Sequence, residues 1–258
     1  MVNPNKYIGI DIGSTASKVC ILDENGEEPR FTVLPTGWNS KITAGIIKED
    51  LEKAIGDLGD TKIIATGYGR ISVEYADSVI TEITCHGRGG YALAGSDCSI
   101  IDIGGQDTKF INVKNGKAVD FLMNDKCAAG TGKFIEVMAN RLGLTIDELF
   151  EYAEAGTPVP ISAICTVFAE SEIINYMGEG KSKEDLAAGV IDSVAVKVIN
   201  MMQRKSLQDR IIVTGGLSHN EFFAALLSKK LNAHVEAMPN GRYAGAYGAA
   251  LLAMARTS

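Results

Sequence analysis

Two stretches of the sequence, residues 8–18 and 99–109, combine residue types that bind phosphate groups. They read IGIDIGSTASK and SIIDIGGQDTK. Glycines let the backbone approach a ligand closely and direct N–H groups at it, and neighbouring hydroxyls add donors. An aspartate precedes each glycine run, and a carboxylate beside a phosphate most usefully holds Mg²⁺ through water. The residues expected to act in this way are Asp11, Gly13, Ser14, Thr15, Asp102, Gly104, Gly105 and Thr108.

The two stretches form an internal repeat. Asp11 aligns with Asp102, and Lys18 aligns with Lys109. Each copy continues into an apolar run and then an Asn-Gly pair, which is typical of a hairpin. Each copy therefore predicts a strand, a tight glycine turn, a second strand, a hairpin and a third strand. One copy could serve turn geometry alone, but two related copies favour a shared role in ligand binding.

Two familiar nucleotide-binding patterns are excluded. The sequence contains no GxxxxGK[ST], so it has no Walker A loop, and no GxGxxG follows the first predicted strand. The segment TGYGR at residues 66–70 lacks a third glycine and a helical pattern after it. We therefore predict that it is a loop.

Composition and charge limit the kinds of molecule that the protein is expected to bind. The 258 residues carry a formal net charge of −7 and contain no basic cluster, so nucleic acid is not expected. Hydrophobic residues make up 46% of the chain, enough for a large core. No apolar run approaches the roughly 18 residues of a membrane span. The start of the chain lacks a signal-peptide pattern, so a cytoplasmic protein is expected.

The chain contains five cysteines, at positions 20, 85, 98, 127 and 165. Their odd number and the absence of any CxxC spacing argue against a disulfide framework and against a zinc site of paired cysteines. Cys20 and Cys98 lie in apolar, strand-like runs and are expected to be small buried hydrophobes. Cys127 differs, because alanines, glycines and a predicted helix follow it.

The second half of the chain is rich in helix signals. Apolar spacing predicts a helix over residues 133–142, and Thr145–Glu148 has the pattern of a capping box. Ser182 and Asn220 are expected to cap two further helices. The end of the chain, over residues 242–256, predicts a helix of small residues that packs closely against another element.

The two glycine hairpins, the VTGG turn at 213–216 and the GAYGAAL segment at 245–251 resemble the actin, sugar-kinase and heat-shock-chaperone ATPase superfamily. The resemblance implies an α/β fold in which two duplicated ribonuclease-H-like lobes surround a nucleotide cleft. It implies an N-terminal lobe over residues 1–95 and a C-terminal lobe over 96–258, with helix 242–256 packing back on the first. Residues 11–18 and 102–109 would be the phosphate loops, and Gly215–Gly216 would lie against adenosine.

Longer segments narrow the resemblance. TGYGR, EITCHGRG, DIGGQDTK, MNDKCAAGTGKFIEVMA and CTVFAESEII resemble the corresponding segments of the 2-hydroxyacyl-CoA dehydratase activators. Those activators group with the benzoyl-CoA reductase ATPase subunits and the reductases of double-cubane cluster proteins. The similarity extends over nearly the whole chain.

This resemblance implies an ATP-driven electron donor. Such a protein is a homodimer with one oxygen-sensitive 4Fe–4S cluster at its interface, and Cys127 and Cys165 would be each subunit's two ligands. A ferredoxin or flavodoxin would supply the electron. An iron–sulfur dehydratase or a double-cubane cluster protein would receive it. Both cysteines precede predicted helices, whose N-termini stabilise thiolates.

The resemblance and the motif positions also suggest individual roles. Gln106 would orient the attacking water, Glu136 would reach the ribose, and Lys18 and Lys109 would contact phosphate or face solvent. Cys85 is expected to be a buried structural thiol beside a hydrogen-bonded histidine. The nucleotide-binding set is Gly13, Ser14, Thr15, Ala16, Lys18, Gly104, Gly105, Asp107, Lys109, Gly130, Gly132, Glu136, Gly215 and Gly216, with Asp11, Asp102 and Gln106 as the catalytic set.

Two other functions remain open from the sequence. A small-molecule kinase of the same superfamily, acting on acetate or a sugar, would use the same hairpins. A regulatory or filament-forming ATPase without metal would do so too. The partner is also open, because LSHNEFF at 217–223 and PTGWNSK at 35–41 depart from the forms typical of dehydratase activators.

Overall fold

The computed structural model describes residues 6–26, 28–161, 165–203 and 205–256. Within these ranges the strands form two five-stranded sheets, in the orders β3-β2-β1-β4-β5 and β10-β9-β6-β7-β8. The strands are β1 (Lys6–Ile12), β2 (Ala16–Asp23), β3 (Arg30–Pro35), β4 (Thr61–Thr66), β5 (Ser78–Val79), β6 (Cys98–Ile103), β7 (Thr108–Lys114), β8 (Lys117–Asn124), β9 (Ile211–Gly215) and β10 (Val235–Ala237).

Three of the described helices begin at the caps that the sequence predicts. Ser182 and Asn220 each accept a hydrogen bond from the backbone N–H three residues later, and Thr145 and Glu148 form a reciprocal capping box. The helices are α1 (Ser40–Ile55), α2 (Glu82–Ala94), α3 (Gly132–Leu142), α4 (Ile146–Ala155), α5 (Thr166–Gly178), α6 (Lys183–Met202), α7 (Glu221–Leu231) and α8 (Ala244–Ala255).

The predicted repeat is confirmed as two antiparallel meanders, β1-β2-β3 and β6-β7-β8. Asp11 lies opposite Lys18 in the first, and Asp102 lies opposite Lys109 in the second. The repeat in sequence is therefore also a repeat in strand register.

The two hairpins differ in length. The second turns at Asn115–Gly116, where both residues have positive φ, as a two-residue hairpin turn requires. In the first, β2 ends at Asp23 and β3 begins at Arg30, so the connection is longer than its Asn-Gly pair predicts.

One face of the first sheet packs against α1. Because side chains alternate along a strand, Ile8, Ile10 and Ile12 share this face and pack with Ile47 and Leu51. The opposite face packs against α8, the last described helix of the chain. Its alanines cover Tyr7, Cys20, Leu22 and Ile64.

The second sheet packs against α2 on one face and against the layer of α3 to α7 on the other. Helix α2 precedes β6 in the chain, yet it covers the second sheet, whereas α8 follows β10 and covers the first. Each of these two helices thus covers the sheet formed by the other part of the chain. The division of the chain into lobes at residues 95 and 96 stays a prediction.

Helices α2 and α8 pack backbone against backbone. A Cβ atom at Gly89 would overlap the carbonyl oxygen of Ala244, and one at Gly248 would overlap that of Cys85. Neither position accommodates a side chain, so the small-residue pattern at the end of the sequence serves this close contact.

Candidate functional site

A cleft of about 870 Å³ lies between the glycine turns of the two meanders. The turns approach so closely that a Cβ atom at Gly105 would overlap the Thr15 hydroxyl. Helix α2, strand β8 and the loop after β4, through Tyr68 and Arg70, also contribute to the lining. Of the residues expected at the nucleotide, the cleft is lined by Asp11, Gly13, Ser14, Thr15, Ala16, Gly104, Gly105, Gln106, Asp107 and Lys109.

Asp11 is a buried carboxylate at the end of β1, with only 4% of its surface exposed. Among the described residues, no hydrogen bond or salt bridge engages its side chain. Its carboxylate is therefore available to a ligand that enters the cleft.

Asp102 occupies the equivalent position on β6 but is fully engaged. Lys109 Nζ lies 3.0 Å from its Oδ2, and Thr214 donates a hydrogen bond to its Oδ1 at 2.8 Å. His86 Nε2 lies 3.6 Å from the same Oδ1. Burial alone would raise the pKa of Asp102, but Lys109, His86 and Thr214 outweigh it and hold that pKa well below its usual range.

Lys109 does not face solvent, so that alternative from the sequence is wrong. Its side chain is 4% exposed, and Nζ contacts Asp107 at 2.7 Å and Asp102 at 3.0 Å, with Glu82 at 3.9 Å. Burial would lower the pKa of Lys109, but these carboxylates outweigh it and raise that pKa above its ordinary value. Lys18, its counterpart, is half-buried, and its ammonium lies beside Gly13.

Glu82 and His86 also line the cleft, and the sequence reasoning assigned neither a role there. They stand four residues apart on α2, which places both on one face of the helix. His86 is buried and donates a hydrogen bond from Nδ1 to the Glu82 carbonyl at 3.0 Å. The spacing of four residues between them in EITCHGRG could have predicted that both side chains lie on the same side of a helix.

Cys85 is fully buried, as expected of a structural thiol beside a hydrogen-bonded histidine. Burial raises its pKa to about 12. Burial likewise raises the pKa of Cys98 to about 12. Neither thiol is set up as a metal ligand or nucleophile, because both uses need a thiolate.

The start of α3 is anchored to the second glycine turn. The N–H groups of Gly132 and Lys133 donate to the carbonyls of Gly104 and Gly105, at 2.9 and 2.8 Å. Thr108 also donates to the Gly130 carbonyl at 2.6 Å. Gly130 and Gly132 therefore support the turn from behind, outside the set of residues that lines the cleft.

Three other residues predicted to bind the nucleotide, Glu136, Gly215 and Gly216, are not among the residues that line the cleft. Glu136, on the outer side of α3, pairs with Lys133 at 2.9 Å. Gly215 and Gly216 follow β9, and Gly216 donates from its backbone N–H to the Ile103 carbonyl at 3.0 Å. This bond places the VTGG turn directly next to the second glycine turn.

Cys127 and Cys165 differ from the other three cysteines. Both are half-buried, whereas Cys20, Cys85 and Cys98 have no exposed surface. Cys165 stands at the N-cap of α5, and the loop of Cys127 leads into α3, which packs against α5. Within the described part of one chain, no three His, Cys, Asp or Glu side chains are arranged to hold a metal ion.

Helix α5 presents large apolar side chains to solvent beside Cys165. Val167 and Phe168 are 65% and 67% exposed, and Ile174 and Met177 are both 49% exposed. Several large apolar side chains exposed on one helix are typical of a protein interface. None of the helices in the described ranges is both long enough and apolar enough to cross a membrane.

Comparison with known proteins identifies the family. The chain is 42% identical to the (R)-2-hydroxyglutaryl-CoA dehydratase activating ATPase of Acidaminococcus fermentans, with 95% of this chain and 96% of that protein covered. A solved structure of the activator of the 2-hydroxyisocaproyl-CoA dehydratase from Clostridium difficile, with bound ADPNP, superposes with a TM-score of 0.89. Its sequence is 36% identical, and the match covers 98% and 95% of the two chains.

A more distant likeness concerns the fold alone. A ROK family glucokinase from Streptomyces griseus superposes with a TM-score of 0.61 at 17% identity, covering 96% and 98% of the two chains. The α/β, sugar-kinase-like fold predicted from the sequence is thereby confirmed. The family model described as the BadF/BadG/BcrA/BcrD ATPase family matches residues 8–253. The chain belongs to this family of ATPases, which confirms the resemblance read from its motifs.

Proposed function

We propose that this protein is a homodimeric, ATP-hydrolysing activator that passes single low-potential electrons through a shared 4Fe–4S cluster to a partner iron–sulfur enzyme. One observation carries the proposal: α3 joins the candidate nucleotide cleft to the loop of Cys127. The backbone bonds of Gly132 and Lys133 to the second glycine turn make this connection stiff. A change at the turn is therefore transmitted to the segment that bears the cysteine.

The nucleotide would occupy the cleft between the two glycine turns. Gly13, Ser14 and Thr15 on one side, and Gly104 and Gly105 on the other, would present backbone N–H groups and hydroxyls to its phosphates. Gln106, exposed at the tip of the second turn, would orient the attacking water. Lys18 would reach a phosphate from beside Gly13, and Gly215–Gly216 would contact adenosine.

Mg²⁺ fits this site through Asp11 better than through Asp102. The Asp11 carboxylate is buried, lines the cleft and is unengaged within the described residues, so it can order the hydration shell of the ion. Both oxygens of Asp102 already have partners, namely Lys109 and Thr214. Asp102 would then act mainly by holding Lys109 and the second turn in place.

The residues present also fit a shared cluster. A 4Fe–4S cluster needs about four thiolates, and Cys127 and Cys165 of two copies would supply them. Both thiols are half-buried, and Cys165 stands at the N-cap of α5, where partial positive charge favours a thiolate. When bound, the cluster would supply a one-electron carrier. The exposed apolar side chains of α5 would be covered by the second copy.

The partner would be an iron–sulfur enzyme that accepts one electron, either a 2-hydroxyacyl-CoA dehydratase or a double-cubane cluster protein. The relatives named as dehydratase activators support the first more directly. A ferredoxin or flavodoxin would supply the next electron to the activator. ATP would drive the transfer because both lobes must close on the nucleotide and α3 couples that closure to the cysteines.

The decisive experiment measures iron and acid-labile sulfide in protein purified without oxygen, together with its mass in solution. About two of each per chain in a dimer is the expected result. A monomer without iron after reconstitution would remove the cluster from the proposal. A small-molecule kinase would then be the function to test, by ADP release on addition of acetate or sugars.

A further inference from the structure

The first turn of α2 carries a carboxylate that the proposed function does not yet use. Glu82 lines the cleft together with both glycine turns, and its side chain is 25% exposed. It is the first residue of α2, which lines one side of the cleft.

The neighbouring acidic side chains are committed elsewhere. Asp107 and Asp102 hold the Lys109 ammonium at 2.7 and 3.0 Å. Glu82 Oε1 lies 3.9 Å from the same ammonium, which is too far for a hydrogen bond. Lys109 is therefore neutralised without Glu82, and the Glu82 carboxylate remains open to the cleft.

We propose that Glu82 is the catalytic group that accepts the proton from the water attacking the terminal phosphate of ATP. This inference rests on the proposed ATPase function and deepens it. The water oxygen forms a bond to the terminal phosphorus, and the bond from that phosphorus to the bridging oxygen of ADP breaks. The electron pair of the broken bond leaves with ADP, the proton of the water passes to Glu82, and Glu82 later releases it to solvent.

The electrostatics of the cleft suit a proton acceptor at this position. Burial raises the pKa of Glu82, and the nearby charges of Asp107 and Asp11 raise it further, against the lowering effect of Lys109 and His86. A carboxylate with a raised pKa is a better base near neutral pH than an ordinary one. Asp102, with its lowered pKa, stays ionised and is a poor base.

Gln106 cannot accept the proton from the attacking water, although it can orient that water. An amide is not a base, and its side chain extends from the exposed tip of the second turn. Phosphoryl-transfer enzymes commonly pair phosphate-binding groups with one residue that receives or orients the nucleophile. Gln106 and Glu82 would share this work from two sides of the cleft.

The test compares Glu82→Gln with the wild type in ATP hydrolysis and in affinity for ADP. Loss of a general base typically costs about 10²- to 10⁴-fold in rate. We expect kcat to fall within this range while the Kd for ADP changes less than about threefold. The matched control is Glu221→Gln, which removes a carboxylate from the first turn of α7 that does not line the cleft, and should leave kcat unchanged.

A second variant separates chemistry from folding. Glu82→Ala leaves room for a small carboxylate, and added formate should restore part of its kcat without changing the Kd for ADP. Unchanged hydrolysis in Glu82→Gln would overturn the role of Glu82. So would loss of ADP binding in that variant, or a failure of formate to raise the rate of Glu82→Ala. Absence of hydrolysis in the wild type would instead remove the proposed ATPase function.

Discussion

Lys109 and Asp102 form a buried ion pair, with Nζ 3.0 Å from Oδ2, across two neighbouring strands of the second sheet. Lys18 and Asp11 have the same register in the first sheet, yet no salt bridge joins them within the described residues. The two equivalent lysine–aspartate pairs of the duplicated fold therefore differ, because only the pair in the second sheet forms a salt bridge within the described residues. One pair is closed and structural, and the other leaves its carboxylate facing the cleft.

Replacing Lys109 should reveal this difference in stability. Lys109→Met leaves the buried carboxylate of Asp102 without its cation, so we expect unfolding free energy to fall by about 3–5 kcal/mol. Lys18→Met, the matched control at the equivalent register, should change it by less than about 1 kcal/mol. Urea unfolding at neutral pH measures both. Equal losses in the two variants would contradict the asymmetry.

Two glycines in helix interiors should respond to alanine with opposite signs. Gly89→Ala would drive a methyl group into the backbone of α8, and overpacking of this kind costs about 1–3 kcal/mol. Gly45, in α1, has nothing within 4 Å of its Cβ position. Gly45→Ala should therefore stabilise the protein by about 0.5–1 kcal/mol, because alanine is the better helix former. Thermal unfolding of both variants checks the prediction, and destabilisation by Gly45→Ala would count against it.

The pH dependence of ATP hydrolysis should report Glu82. Its pKa is raised above the ordinary 4.5 by burial and by Asp107 and Asp11, with Lys109 and His86 opposing. A base must be deprotonated to act, so kcat should fall as pH decreases through this raised pKa.

The acid limb of that profile should disappear in Glu82→Gln. The low pKa of Asp102 keeps its carboxylate ionised over the same range, so it cannot produce the limb. The measurement is kcat from about pH 5 to pH 8, with ADP affinity followed in parallel. An unchanged acid limb in the variant would assign it to another group.

Each candidate cluster ligand should be required for iron but not for nucleotide. Cys127→Ala and Cys165→Ala should each lose iron and sulfide while the Kd for ADP stays within about threefold. Cys98→Ala is the matched control, because that thiol is buried in the core of β6 and should leave iron unchanged. Iron retained in either of the first two variants would exclude that cysteine as a ligand.

Local patterns in the sequence predicted a large part of the fold. The hairpin turn at Asn115–Gly116 and the caps at Thr145, Ser182 and Asn220 depend on residues close together in the chain, and they are found. The repeat is found as two meanders, although the connection from β2 to β3 is longer than predicted. The family followed from long specific segments. These features need no knowledge of which elements meet in space.

The details of the cleft depended on contacts that the sequence does not reveal. The burial of Lys109 is compensated by Asp102 on β6 and Asp107 in the glycine turn, which hold its ammonium at 3.0 and 2.7 Å. The anchoring of α3 uses backbone groups of Gly132 and Lys133, which leave no mark in side-chain patterns. Because of this anchoring, the first N–H groups of α3 are hydrogen-bonded to the second glycine turn. The sequence had instead suggested that the start of this helix stabilises the thiolate of Cys127.

The packing of α8 on the first sheet has a consequence for the order of synthesis. Strands β1 to β5 emerge from the ribosome first, and domains tend to fold in that order. Yet Tyr7, Cys20, Leu22 and Ile64 are covered by alanines of residues 246–253. That apolar face of the nascent chain stays exposed until residues 246–253 have been translated, so the core of the first sheet is completed only after all the strands of the second sheet have been synthesised.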